Sequence, residues 1–415
     1  MNMINKFRYL ALILLFSIFS IYAQDGSYSP FSYYKFGDQV EKQTVENLSM
    51  GHLNVYNDTL HYNFMLPSSL ANLKLVNYSV ASAFDVYLLK SGNIQGRAGV
   101  FMVPYVTLGV PVGKRGGIGF GFKPYSTSGY LIMKELENEK IAKTGEGGLN
   151  RVFVAAGLKL YKGLNAGISY NYYFGNKIAR FIHYKQDVYA ISRQVDNAVY
   201  SGSNLDFSMD LTHFFNRKYY FQAALLYTLP VKIISENTST LEISDSSYGR
   251  ERIVRTMNLR QDTTLQFIPA GYSIGFGFGM KRKWYAGVEW QTEKWSGYQN
   301  DFFTSDKVSY KNASVLKMGG FWLPDFRSHV KYYKRITYKA GFYYKNGDLV
   351  FDNQPVNEFG MSFGLSLPMN YYFSAVNIGL EYVKRGGPDL ISEKIIKLKI
   401  GLSFKDKWFV KRKIN

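Results

Sequence analysis

From about residue 74 onward, bulky apolar residues alternate with small or polar ones at a period of two. "SNLDFSMDLTHFF" sets Leu205, Phe207, Met209 and Leu211 against Asn204, Asp206, Ser208, Asp210 and Thr212. "PAGYSIGFGFGM" sets Tyr272, Ile274, Phe276 and Phe278 against Ser273, Gly275, Gly277 and Gly279. "IIKLKIGLSF" sets Ile396, Leu398, Ile400, Leu402 and Phe404 against Lys397, Lys399, Gly401 and Ser403. A period of two is the signature of a strand with two unlike faces. Such segments fall near 74–84, 98–110, 117–130, 149–161, 163–175, 201–214, 218–230, 265–281, 283–297, 307–322, 330–345, 355–368, 371–384 and 394–406. That predicts about fourteen strands, the even number expected of a bacterial outer-membrane barrel. Many are longer than the five or six residues usual in globular proteins, and are long enough to cross a bilayer at a tilt.

The connections alternate in length. Residues 85–97, 131–148, 176–200 and 231–264 are long, whereas "GKRGG", "YKG", "NRK" and "KRK" are short. Short turns on one rim and long loops on the other is the outer-membrane layout. Alternation alone does not say which face points outward, because a soluble sandwich alternates too. Three features together oppose the soluble reading: an export signal, the strand length, and a minor face of glycine, serine, asparagine and lysine that suits a wet lumen and leaves the apolar face for lipid. Tyr219, Trp284, Trp290, Trp295, Tyr371 and Trp408 lie near strand ends, where interface girdles are expected. The sequence therefore predicts an all-β fold, a transmembrane antiparallel barrel over residues 74–406, with 407–415 as a periplasmic tail.

The first residues place that barrel. Lys6 and Arg8 precede "YLALILLFSIFSIYA", an apolar stretch read as a signal peptide, residues 1–23, cleaved after Ala23. Residues 24–73 are irregular, broken by Pro30 and Pro67, yet rich in aromatics (Tyr28, Phe31, Tyr33, Tyr34, Phe36). That content argues against a disordered tail and for a plug folded into the lumen. The absence of cysteine excludes disulfides and thiolate metal sites. The formal charge of +19, in an exported chain, points to an anionic envelope surface or ligand and away from nucleic acid. His52, His61, His183, His213 and His329 sit in no catalytic or metal motif, so neither an enzyme nor a cofactor is expected.

The third strand, "GGIGFGFKPYSTSGY", carries Pro124 in its middle. Centring the preceding turn near residue 114 sets Pro104 opposite Pro124. It also places Val100, Met102, Pro104, Val106, Leu108 and Val110 on one face with Ile118, Phe120 and Phe122. Two prolines at one height remove two ladder donors, and unpaired carbonyls are costly in lipid. They must be met by water, by the plug, or by Ser126, Thr127 and Ser128. The expectation is a lateral opening at Pro104, Pro124, Ser126 and Thr127, or a plain bulge. Lys123, Arg151, Lys159, Lys397 and Lys399 are predicted to point inward, either to pair with an anionic ligand or to form a solvated basic lumen.

A plug-like segment followed by about fourteen strands resembles the FadL-type long-chain fatty acid transporter family. "SPFSYYKFGD", "PYSTSGY", "GEGGLNRVFVAAGL", "YNYYFG", "RITYKAGFYY", "NEFGMSFGLSLP" and "GLSFKDKWFVKRK" look like a divergent branch of those barrels. The family's hatch motif, Asn-Pro-Ala, matches "LPSSLA" with Leu66 at the asparagine, Pro67 at the proline and Ser68 at the alanine. The proline is kept and the asparagine is lost. The resemblance implies uptake of a hydrophobic or amphipathic small molecule across the outer membrane. Release would be sideways into the bilayer through a gap at the second and third strands. Partners are then membrane lipids and that molecule. The second reading is a barrel that serves as a structural subunit or adaptor of an outer-membrane assembly or protein-secretion complex, with other outer-membrane or periplasmic proteins as partners.

Overall fold

Inside a bilayer every backbone N–H and C=O must be paired within the protein, and this chain pairs them by closing its strands into a ring. The structure is a computed structural model that describes residues 26–185, 188–216, 218–245, 252–300, 302–303, 307–328, 330–369, 374–387 and 391–406. The signal peptide and the 407–415 tail expected from the sequence lie outside these residues.

The barrel has fourteen antiparallel strands. They are β1 (Val76–Ser91), β2 (Ile94–Val112), β3 (Gly116–Leu136), β4 (Glu139–Tyr161), β5 (Leu164–Lys185), β6 (Ala190–Phe215), β7 (Tyr219–Thr228 with Val231–Asp245) and β8 (Arg252–Ile268 with Gly271–Met280). The shorter side holds β9 (Trp284–Glu293), β10 (Ala313–Trp322), β11 (Thr337–Asn346), β12 (Glu358–Pro368), β13 (Ala375–Arg385) and β14 (Ser392–Asp406). β14 closes on β1 from Val76↔Asp406 to Lys90↔Ser392. β7 and β8 are each one strand with a break. The registers Thr228↔Gly271 and Val231↔Ile268 set Pro230 opposite Pro269, where neither residue can donate to the ladder.

The apolar face points outward. Phe207, Met209, Tyr272, Phe276, Leu398 and Phe404 are exposed, while Asp206, Ser208, Ser273, Lys399 and Ser403 are buried within the barrel. Tyr219 stacks on Phe278, and Phe278 packs on Trp284, at the short-turn end, as in an interface girdle.

Two sequence expectations are corrected. Residues 85–97, 131–148, 176–200 and 231–264, expected as long loops, are mostly strand. β3 and β4 continue to a turn at 137–138, and β6, β7 and β8 run on in paired register. A chain that rises from the membrane still has to pair its backbone, and extending the hairpin does so. As a result β3 to β6 span 21 to 26 residues against 10 or 11 in β9 to β13, so one side of the barrel is much taller. Secondly, Val100 and Met102 are not on the outward face with Val106 and Leu108. A bulge in β2 changes the register between Ala81↔Tyr105 and Ala83↔Met102, which turns Val100 inward to 3% exposure against Tyr87, Val383 and Ile395. One extra residue reverses every side chain beyond it.

Residues 26–75 fill the lumen. The short helix Val45–Leu48 is capped by Thr44, whose hydroxyl accepts from the Asn47 N–H. The 3-10 turn Pro67–Asn72 begins with proline, which needs no donor there. Wall glycines let this turn reach the barrel: a Cβ on Gly167 would sit 2.2 Å from the Ser68 nitrogen and 2.4 Å from the Pro67 carbonyl carbon. Gly167→Val is therefore expected to destabilise the folded barrel by about 1–3 kcal/mol. Gly96→Val, whose Cβ would meet only Leu89 at 3.9 Å, is the control. Urea titration followed by heat-modified gel mobility reads both, and equal midpoints would contradict this packing.

Candidate functional site: the plug and the interrupted wall

The β2–β3 ladder has the register expected from the turn, from Val112↔Gly116 to Val106↔Phe122, and there it stops. Beyond that point β2 pairs with β1 and β3 pairs with β4. Both prolines stand at bulges. Pro104 lies in the Ala81/Ala83 irregularity, and Pro124↔Asn150 is followed by Ser126↔Leu149, which leaves Tyr125 as the extra residue. Proline at a bulge loses no ladder bond that was available.

The plug takes the vacated edge of β3. Asp38 and Gln39 form a two-residue strand opposite Thr127 and Ser126, and the Val40 N–H donates to the Tyr125 carbonyl at 3.0 Å. Side chains complete the seam. Ser126 donates to the Phe36 carbonyl at 2.7 Å, Thr127 to that of Gly26 at 2.9 Å, and Ser128 to that of Ser32 at 3.0 Å. At the opposite end Leu66 is fully buried, and the Ser68 N–H donates to the Ser208 hydroxyl at 2.8 Å.

Charges fasten the rest. The Glu41 carboxylate lies between Lys397 and Lys399, 2.7 Å from the latter, and the Lys123 ammonium donates to the Glu41 carbonyl at 3.1 Å. Arg385 grips Asp38 with two bonds of 2.6 and 2.8 Å and also holds Glu393, which accepts from Ser29. Lys35 pairs with Asp348 and Lys42 with Glu293. On the wall, Lys317 meets Glu289 at 2.8 Å, and Glu289 accepts from the Asn54 backbone and side chain. Arg151 bonds Asp206 at 3.2 Å. Of the inward basic residues expected from the sequence, Lys123, Arg151, Lys397 and Lys399 are thus buried here. Lys159 does not join them: it is exposed beside the short turn at 162–163, with its N–H bonded to the Arg115 carbonyl. A cavity of about 160 Å³ lies between the plug and the wall. Its lining includes Lys42, Lys345 and Arg385 facing Asp38, Glu293 and Glu358.

Sequence reasoning missed Glu41, Asp38, Arg385, Glu289, Lys317 and Glu381, the last of which meets the plug's His52 at 2.9 Å. A signal existed for the wall members, since Glu289, Lys317 and Glu381 are single charges at inward positions of otherwise apolar or small runs. None existed for Asp38 and Glu41, which lie in irregular chain. Thr44, His61 and Glu46 line up as hydroxyl, imidazole and carboxylate, at 3.0 Å and 2.6 Å. Thr44 is 1% exposed and already caps its helix, so the trio is a clamp within the plug.

Burial would raise the Glu41 carboxyl, but Lys397 and Lys399 hold it well below its ordinary range. Burial opposes ionisation of Asp38 too, and Arg385 brings it below its usual value. Groups depressed in the fold stabilise it fully above their ordinary pKa and cease to do so as pH falls through the depressed values. Acidification is thus expected to loosen the plug only below the usual carboxylate range. Glu41→Gln should flatten that acid limb. Glu41→Ala, which strands two buried cations, should cost about 3–5 kcal/mol at neutral pH. Urea midpoints measured from pH 7 downward check both, and an unchanged profile in Glu41→Gln would contradict the assignment.

Solved barrels of similar architecture are known. The chain superposes on the Pseudomonas putida toluene transporter TodX with a TM-score of 0.61 at 11% identity, covering 89% of this chain and 99% of that one. For the Ralstonia pickettii toluene transporter TbuX the TM-score is 0.59 at 12% identity, covering 88% and 99%. For the CymD monoaromatic hydrocarbon channel it is 0.57 at 12%, covering 89% and 99%. At such identities the likeness is one of fold alone. A comparison with curated protein sequences returns no match. The family model for BamG matches residues 3–415. Nearly the whole chain fits that one model, and the protein belongs to the BamG family.

Proposed function

We propose that this barrel is a sealed structural subunit or adaptor of an outer-membrane assembly or protein-secretion complex. The observation that carries the reading is the filled lumen. The cavity between plug and wall measures about 160 Å³, and its lining mixes paired charges with apolar residues such as Val315, Leu349 and Ile395, whereas small-molecule sites run to about 300–1,000 Å³ and are mostly apolar. A fatty chain entering it would have to displace ion pairs. The tall side adds a protein-facing surface: along β8, residues 252–261 are exposed throughout and pair only with β7.

A second reading, passage of a hydrophobic small molecule with lateral release, is favoured by one feature, the end of the β2–β3 ladder at Val106↔Phe122. On that reading Pro104, Pro124, Ser126 and Thr127 frame the exit, Leu66, Pro67 and Ser68 anchor the hatch, and Lys123, Arg151, Lys397 and Lys399 steer an anionic head.

Two measurements separate the readings. Purified from native membranes in mild detergent, the barrel is expected to carry stoichiometric partner proteins and, in planar bilayers, to hold baseline conductance. A monomeric barrel carrying a bound hydrophobic ligand would contradict the adaptor reading. Replacing Pro104 and Pro124 together by Val should leave uptake of a hydrophobic substrate unchanged if the barrel is an adaptor. Loss of uptake, with normal folding, would favour the lateral exit.

A further inference from the structure

A second concavity lies outside the lumen, at the short-turn rim. It is a groove of about 260 Å³ lined by Lys218, Met280, Lys281, Arg282, Phe326 and Arg327. Four of the six lining residues are cations and none is an acid. Among the described residues none of the four cations forms an ion pair. Asp325, the nearest acid in sequence, accepts from the Arg327 backbone N–H.

The groove is held in shape by backbone bonds between three segments. The Lys281 N–H donates to the Lys218 carbonyl at 2.8 Å, which ties the β6–β7 turn to the β8–β9 turn. The Leu323 N–H donates to the Lys283 carbonyl at 2.7 Å, which brings in the segment after β10. Arg282 takes a left-handed backbone, φ +60°, at the tip of its turn. Its guanidinium lies 4.5 Å from the Phe326 ring, and that of Arg327 lies 5.3 Å from the same ring. The Lys281 ammonium lies 5.9 Å from the Phe214 ring. Aromatic faces thus orient three of the four cations.

The surroundings identify the ligand class. Directly above the groove the outward wall is the aromatic girdle of Phe215, Tyr219, Phe278 and Trp322, all exposed. A girdle of this kind marks the boundary between hydrocarbon and headgroups. The groove begins where the lipid-facing wall ends, so an acyl chain could lie on the wall while an anion sat among the cations. Uncompensated like charges gathered in one concavity raise the local potential and draw an anion. We propose that this groove binds the phosphate of an anionic phospholipid at the short-turn rim.

The test uses the whole barrel in non-ionic detergent, titrated with phosphatidylglycerol or, separately, inorganic phosphate, with bound lipid counted by native mass spectrometry. Three barrels are compared: wild type, the triple variant Lys281→Gln, Arg282→Asn, Arg327→Gln, and a control with Lys114→Gln, Arg115→Gln, Lys162→Gln that removes equal charge elsewhere on the same rim. Wild type and control are expected to retain one phosphatidylglycerol. The groove variant should bind it about tenfold more weakly or worse, and inorganic phosphate should compete poorly because it gains nothing from the wall. Equal loss in both variants would reduce the effect to diffuse charge and overturn the proposal, as would no loss in either. Inorganic phosphate displacing the lipid at equal concentration would overturn the assignment to a lipid. If the triple variant fails the heat-modification test for folding, Lys281→Gln alone, with an expected weakening of several-fold, takes its place.

Discussion

A charge buried inside this barrel has to meet a counter-charge or backbone carbonyls there, because leaving one unpaired in a low-dielectric interior is costly. The wall contributes Arg385, Lys397 and Lys399, and the plug contributes Asp38 and Glu41. Glu393 of the wall meets part of the Arg385 charge, and the rest of each set relies on the other. This reciprocity makes residues 26–75 part of the barrel's stability. It also explains why so many of the contacts between plug and wall are salt bridges.

The interrupted wall follows from the same need for pairing. Proline bulges in β2 and β3 separate the two strands above Phe122, and exposed donors and acceptors result. The plug answers with Asp38–Gln39 as a strand and with backbone carbonyls offered to Ser126, Thr127 and Ser128. The gap and its cover are complementary pieces. A wall that could open there would do so only by peeling away a segment that Arg385 holds through Asp38.

Much of this was legible in the sequence. Period-two alternation from "KLVNYSVASAF" to "IIKLKIGLSF" marks fourteen strands, and glycine, serine and lysine on the minor face mark a lumen. The turn "GKRGG" sets the β2–β3 register correctly where the strands pair. The projecting parts of β6, β7 and β8 were not legible. "SENTST" is polar on both faces, since above the membrane neither side needs to be apolar, and period-two reading has nothing to follow. The bulges were not legible either, so Val100 was set on the wrong face. The clamp was beyond reach for a different reason: Lys397 meets Glu41 across 356 positions of sequence, and only the closed barrel brings them together.

The central claim is that the working protein is sealed, with the plug strand seated on β3. The chain contains no cysteine, and Gln39 stands directly opposite Ser126. A Gln39→Cys, Ser126→Cys double variant can therefore lock the plug to the wall by a single disulfide in the oxidising envelope. On this account the locked barrel forms the bond readily, assembles with its partners and rescues a deletion strain as well as wild type. Rescue by the reduced double variant but not by the oxidised one would show that the plug must leave the wall for the protein to act, and would contradict the account.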